Sequence, residues 1–468
     1  MKALKIQTTA FVPGLLALLG LLCASLFYRI HLHCTSYFDL GIYSDALNRI
    51  TWTDLNPFLP GRNIRIFNDH FDPILIPFAV LTSFFRAPAV GIFLEFLALA
   101  CCWFPIRRLR DAGKIDPATA VFSYAFLILN HATVDAVQTP FHPTTWAVLP
   151  LVCVFVFLIL GEFRNLLLAL VMLFCCREEF PLIGLPVGLV LWMDGKRPRA
   201  GLVWGLSLVW IIFVFLLRPR WFEGTFETYG SSLIRDTLSN PASVFQKNFA
   251  SGSIRMALER TLPVLLLLDP KRLRESKAWI LRAGMIASPI IGIRFASNHW
   301  GFHYGTAAVI CTLFVLIPAV SEAASPWRRR LSWTFLLITF LAQPVKVFSG
   351  PHPRCPAERS RLSAIEEAQA RLARLPAKHL LLENNLASTQ FFVSGKEQSI
   401  YLLCSPTGFS RRTFDALLVE KPGAGDPWPC SYEQIGRMID AWKKDPGIRI
   451  LIENEHVFLA EGQVNVPD

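Results

Sequence analysis

Up to residue 349 the chain is built from long apolar runs separated by short polar stretches, and beyond that the pattern changes. Runs near 11–28, 88–106, 117–130, 144–161, 165–176, 180–193, 200–217, 261–268, 278–293, 304–320 and 331–347 predict about eleven transmembrane helices, several shorter than the ~20 residues a straight span needs. The basic residues support the short ones. If Lys2 and Lys5 face the cytoplasm, alternation puts Arg107-Arg108-Leu109-Arg110, Lys196-Arg197-Pro198-Arg199, Lys271-Arg272-Leu273-Arg274 and Arg328-Arg329-Arg330 on that same side. Merging 165–193 into one span, or counting 73–85 as a crossing, breaks this agreement. The 73–85 stretch therefore reads as a re-entrant or interfacial piece, and the 261–268 run, the weakest of the eleven by length, gains its support from the charge rule.

Two other periodicities stand out. In SYFDLGIYSDALNRI (36–50), Phe38, Ile42, Ala46 and Ile50 recur every four residues, which predicts an interfacial helix with one apolar row. After residue 350 the hydrophobic runs shorten and charge rises. Leu362, Ile365, Leu372 and Leu375 keep helical spacing over 359–375, and strand-like HLLLE, SIYLLC, DALLVEK and RILIE alternate with a second helix over 432–444. The expected organisation is an α-helical polytopic membrane domain, 1–349, followed by a soluble α/β domain, 350–468, outside the membrane.

Composition narrows the class. With 53% hydrophobic residues, 17% charged residues and a mean hydropathy of +0.41, the chain has too few polar groups to coat one soluble globule. The net charge of +11 brings nucleic acid to mind. The basic residues, however, sit in short clusters between apolar runs, where anionic headgroups account for them, so membrane lipids and no nucleic acid are expected as partners. The opening MKALK and its apolar run lack a clean cleavage site and read as an uncleaved first span. Of eleven cysteines, only Cys34, Cys355, Cys404 and Cys430 fall in polar segments. None has zinc-like spacing, and a disulfide among them cannot be paired from the sequence.

The same alternation sends most of the chemically suggestive residues to the outer side. Asp39 sits beside the apolar row of the 36–50 helix and reads either as an acid at the membrane surface or as a helix cap, and Asp45, six residues on, does not share its helical face. NDHFDP places His70 between Asp69 and Asp72, FHP supplies His142, and NHWGFHYG supplies His299 and His303 at i, i+4. These are either ligands for a divalent cation or hydrogen-bonded structural histidines. REEFP interrupts apolar sequence with Arg177, Glu178 and Glu179, which fits a wet cavity or a local ion pair. Arg218 and Arg220 leave an apolar run on the outer side, where arginine forks suit phosphate oxygens as well as lipid headgroups. The KPGAGD stretch reads as a turn, and no nucleotide loop, zincin motif or nucleophile elbow is present.

The ordered set FDLGIY, FNDHFDPIL, FHPTTWAVLPL, REEFPL and NHWGFHYG, followed by DALLVEK and RILIENEHVFLAEG, resembles a prokaryotic membrane protein family catalogued as domain of unknown function 2079. That family is in turn similar to the type-C (GT-C) glycosyltransferases, which take a sugar from a polyprenyl-phosphate donor on the outer membrane face. The resemblance implies a GT-C-like fold in the cytoplasmic membrane with an extracytoplasmic terminal domain. It also implies an inverting transfer to an envelope glycan, lipid or protein acceptor, with Asp39 as the base. Such enzymes often carry two nearly adjacent acids in the first outer loop; here Asp39 is followed by Leu40-Gly41 and the next acid is Asp45, leaving Glu178 or Glu179 to contribute. Arg218, Arg220 or His299 would meet the leaving phosphate. The competing classes are a transporter or lipid flippase, and a membrane scaffold without catalysis.

Overall fold

In the computed structural model of the chain, the residues described are 2–33, 40–139, 141–218, 239–240, 253–297, 304–320, 326–348, 358–394, 397–404, 411, 413–421 and 430–465. All eleven apolar runs coincide with helices. Four are long and apolar enough to cross a membrane: Phe11–His31, Ala87–Asp111, Pro143–Leu160 and Arg197–Leu217. A fifth would be the pair Pro117–Leu129 and His131–Gln138, bent by 41°, while Phe163–Phe174, Pro181–Met193 and Gly305–Ala319 are shorter. The 261–268 run begins in a longer helix, Ser253–Leu265, which also carries Arg255, Glu259 and Arg260, and continues past its end. The 73–85 stretch contains the helix Leu75–Leu81, only seven residues long and too short to cross a membrane.

The chain forms two compact units, each assembled from separate stretches: Met1–Cys23, Phe67–Ile74 and Phe93–Val345 make one, and Ala24–Ile66, Leu75–Ile92 and Lys346–Asp468 make the other. Local chemistry sets the helix boundaries of the first. Asp116 caps Pro117–Leu129 by accepting from the Thr119 amide, and Asn130 both ends that helix and caps the next through Ala132 N–H. Gly161, at φ 71°, ends Val148–Leu160 in the left-handed conformation that glycine adopts freely. Pro181–Met193 and Arg197–Ile212 pack closely because Gly188 presents no side chain to Trp204: a Cβ there would lie 2.3 Å from the indole nitrogen. That indole donates to Leu185 O at 2.9 Å.

The second unit contains a five-stranded mixed sheet. With β1 (Phe58–Leu59) and β2 (Ile64–Arg65) forming a separate small hairpin, its strands are β3 (His379–Leu382), β4 (Ser399–Leu402), β5 (Thr413–Glu420), β6 (Ile448–Glu453) and β7 (Val457–Asn465), in the order β4-β3-β5-β7-β6. The pairs β3–β4 and β3–β5 are parallel, whereas β5–β7 and β6–β7 are antiparallel. Leu381, Phe414, Leu417, Ile435, Trp442 and Phe458 are among its buried core. The expected helices appear as Arg359–Arg374 and Tyr432–Lys443, the latter opened by a reciprocal Ser431–Gln434 capping box. Cys404 and Cys430 form a disulfide. Among the described residues the free cysteines are Cys23, Cys101, Cys102, Cys153, Cys175, Cys176 and Cys311, all in or beside apolar helices.

The sheet domain is not separate from the beginning of the chain. Arg361, fully buried, makes a two-pronged pair with the Glu420 carboxylate and donates to Leu32 O at 3.2 Å. His33 Nδ1 lies 2.8 Å from Thr389 Oγ1, Arg49 donates to Ser399 Oγ at 3.1 Å, and Arg86 donates to Ser394 O at 2.9 Å. The compact unit that holds the sheet also takes in 24–66 and 75–92.

Candidate functional site

Pro73 disfavours helix at the residue before it, so the Ile66–Asp69 turn gives way to an open segment that carries His70, Phe71 and Asp72. Phe71 anchors the segment: its ring packs on Phe67, Trp210 and Phe213 with centroids 5.3, 6.2 and 5.4 Å apart. The break between Phe163–Phe174 and Pro181–Met193 places REEFP against it. Ile74 N–H donates to Cys175 O at 3.0 Å, and Phe71 N–H donates to Glu178 Oε2 at 3.0 Å. His70 Nδ1 stands 3.1 Å from Glu178 Oε1, and Arg177 Nη2 stands 3.2 Å from His70 Nε2. Guanidinium nitrogens only donate, so a neutral ring here donates from Nδ1 and accepts at Nε2, whereas a protonated ring keeps only the Glu178 contact.

Arg218 completes this face of the first unit. The Arg197–Ile212 helix widens into a π-helical stretch, Phe213–Leu217, and then delivers Arg218, whose buried guanidinium lies 5.6 Å from the centroid of the Phe71 ring. Burial lowers Arg218 to about 10, against the pull of Glu178, Asp72 and Asp69, so it remains a cation at neutral pH.

The carboxylates around it diverge. Asp72, fully buried, is pushed up to about 7 by burial and by Glu178, with His70 and Arg177 opposing. Burial would also raise Glu178, but the charge and hydrogen bond of His70 and the charge of Arg177 hold it well below the usual carboxylate range. Burial and Arg177 work against a charged His70, yet Glu178 outweighs them and raises it above the ordinary imidazole value. His142, buried with Nδ1 3.0 Å from Thr139 O, is lowered to about 3 by burial and Arg177, and stays neutral.

The structure thus brings together His70, Glu178 and Arg218, with His142 in the electrostatic reach of Arg177. Glu179 lies next in sequence, half-buried. Asp45 belongs to the other unit, where it is buried and paired with Arg49. Asp39, Arg220, His299 and His303 lie outside the described residues, as does KPGAGD beyond Lys421. Among the described residues no group of three or more His, Cys, Asp or Glu side chains is placed to hold a metal ion.

Asp72 and Arg177, present in NDHFDP and REEFP but not marked there as site residues, belong to this group, and two further polar features of the first unit stand apart from it. Asp135 pairs with Arg260 at 2.9 Å and His131 at 3.0 Å beside the 130 break. Glu95, fully buried, sits inside the apolar helix Ala87–Cys101. A lone acid within GIFLEFLALA was the available signal.

The sequence model of a family described as predicted membrane protein DUF2079 matches residues 31–376. No curated protein matches the chain in sequence. Among solved structures, ArnT from Cupriavidus metallidurans in the apo state is similar with a TM-score of 0.53 at 11% identity, over 97% of this chain and 98% of that one. The same protein bound to undecaprenyl phosphate gives a TM-score of 0.50 at 11% identity, over 95% and 97% of the two chains. At that identity the likeness is one of fold.

Proposed function

Because the chain belongs to the DUF2079 family of predicted membrane proteins, we propose that it acts at a membrane as a glycosyltransferase, moving a sugar from a polyprenyl-phosphate donor to an acceptor on the outer face. The observation that carries this reading is the pair of buried guanidinium groups, Arg177 and Arg218, set among His70, Asp72 and Glu178 in a fold shared with ArnT. ArnT has been crystallised with undecaprenyl phosphate, and arginine forks suit a phosphate that becomes more negative as it leaves.

In the proposed step the acceptor oxygen forms a bond to the anomeric carbon and gives its proton to Asp39. The bond from that carbon to the phosphate oxygen breaks with its electron pair, inverting the centre and releasing the polyprenyl phosphate. Arg218 and Arg177 stabilise the departing phosphate, with Arg220 or His299 as further donors. Glu178 and His70 hold Arg177 in place, and neutral His142 is suited to bond sugar hydroxyls. The Cys404–Cys430 disulfide supports an extracytoplasmic terminal domain, since disulfides persist outside the reducing cytosol.

The test is turnover of the purified chain in lipid nanodiscs, offered a panel of labelled polyprenyl-phosphate sugars. Asp39→Asn is expected to lower kcat by about 10²- to 10⁴-fold, and Arg218→Gln by about 10²-fold or more. Unchanged turnover in Asp39→Asn removes Asp39 as the base, and a wild-type chain silent across the panel overturns the assignment. The transporter or flippase reading has one observation in its favour, the carboxyl of Glu95 inside a candidate span; flux of labelled lipid-linked sugar into vesicles, without transfer, would establish it instead.

A further inference from the structure

Glu95 takes no part in the proposed transfer. Ala87–Cys101 is otherwise apolar, and Glu95 lies eight residues into the candidate span Ala87–Asp111, roughly 12 Å along its axis at 1.5 Å per residue. Its side chain is wholly enclosed. Neither carboxyl oxygen has a well-formed hydrogen bond, and the same holds for the buried hydroxyls of Thr144 and Thr145 at the start of Pro143–Leu160. Thr145 is nevertheless close enough to interact with the carboxyl, and the charge of Glu95 reaches Cys23 in the first helix. Among the described residues no lysine, arginine or histidine pairs with it.

An enclosed carboxylate without a countercharge costs many kcal/mol in a medium of low dielectric constant, so in practice it is neutralised. Simple packing does not account for the position, because a leucine fits an apolar helix without that cost. Ionisable groups enclosed in membrane spans mark ion or proton sites far more often than filler.

We propose that Glu95 is an intramembrane binding site for one monovalent cation, a proton or a sodium ion, with the Thr145 hydroxyl as its second oxygen ligand. One positive charge neutralises the carboxylate, and the adjacent hydroxyl supplies a hard oxygen of the kind both ions accept. The site is independent of the glycosyl transfer described above.

Dicyclohexylcarbodiimide, an apolar reagent that modifies carboxylic acids carrying a proton in lipid-like surroundings, tests this on the intact chain in nanodiscs at neutral pH. Peptide mass spectrometry is expected to place an adduct on Glu95 and to lose it in Glu95→Gln. Labelling insensitive to sodium chloride assigns the proton. Labelling suppressed by sodium chloride but not by choline chloride assigns sodium, and Thr145→Val then raises the half-protecting concentration about tenfold, equivalent to the ~1.4 kcal/mol of one weakened contact. The native chain itself carries the reading, so a variant that folds poorly does not decide it. Glu95 left unmodified with and without sodium, while water-soluble carbodiimide labels exposed carboxyls such as Glu433, overturns the proposal.

Discussion

Asp72 and Glu178 show how two acids of one short sequence neighbourhood acquire opposite behaviour. Glu178 faces His70, Arg177 and the Phe71 amide, whereas at Asp72 burial, aided by Glu178, outweighs the opposing charges of His70 and Arg177. The folded chain therefore holds a proton on Asp72 up to about pH 7, while the unfolded chain releases it near the ordinary aspartate value of about 3.9. The stability associated with that proton is complete below about pH 4 and is lost as pH rises through about 7. Asp72→Asn is expected to flatten this part of the profile. Thermal unfolding in detergent, read by a thiol-reactive dye that reports exposure of buried Cys102, Cys176 and Cys311, measures it; an unchanged slope means that Asp72 is not the titrating group. At the same scale Glu178→Gln leaves Arg177 facing a ring no longer oriented by a carboxylate. In the transferase assay it should lower kcat about tenfold or more with a smaller change in KM, because a positioning contact is lost while Arg218 remains.

Elements were the most legible level. The eleven apolar runs expected as membrane crossings all fall on helices, but among the described residues only four, or five with the bent pair, are long and apolar enough to cross; the break at REEFP between 165–176 and 180–193 is where charge alternation expects it. Strand β7 was missed because VFLAEGQVN follows β6 across a short polar turn, and it bends at Gly462, where φ is 132° and a Cβ would meet Gly447 O at 2.3 Å. The helix Asn384–Gln390 was missed because NNLASTQ is polar and short; Glu383 caps it by accepting from the amides of Asn385 and Leu386. Periodicity also placed Asp39 and Asp45 on one helix without fixing what surrounds them. The observed helix, Ile42–Arg49, buries Tyr43, Ser44 and Asp45 along with Ile42, Ala46 and Leu47, so packing rather than one apolar row decides its surroundings. The hairpin of Pro181–Met193 and Arg197–Ile212 makes its own prediction. Gly188→Leu forces the Trp204 indole aside, and overpacking of this kind costs about 1–3 kcal/mol. Because that helix leads to Arg218, the variant should unfold at lower temperature and bind polyprenyl phosphate more weakly, while a variant with native melting and binding would show that the two helices separate freely.

For the molecule as a whole, charge alternation expects one side for the reactive residues but says nothing of their partners, which come from positions more than a hundred residues apart, as His70 and Glu178 do. Nor could spacing reveal that the terminal sheet takes Leu32 and His33 as neighbours, since that depends on one guanidinium, Arg361, satisfying Glu420 and a backbone carbonyl together. Arg361→Met leaves the buried Glu420 without its countercharge and should cost about 3–5 kcal/mol, whereas Arg361→Met with Glu420→Leu should recover much of the loss. Melting of the three variants tests this; equal losses in single and double variants would mean the pair is not energetically linked.

The Arg361 contact with Leu32 spans 329 residues of sequence. At the usual synthesis rates of roughly 5–20 residues per second, the opening segment waits about 15 to 65 s on the ribosome–membrane complex before its partner exists. During that interval the Leu32 carbonyl lacks the Arg361 guanidinium and the His33 ring lacks the Thr389 hydroxyl. The second unit is therefore assembled only after stretches made early and late in synthesis are both present.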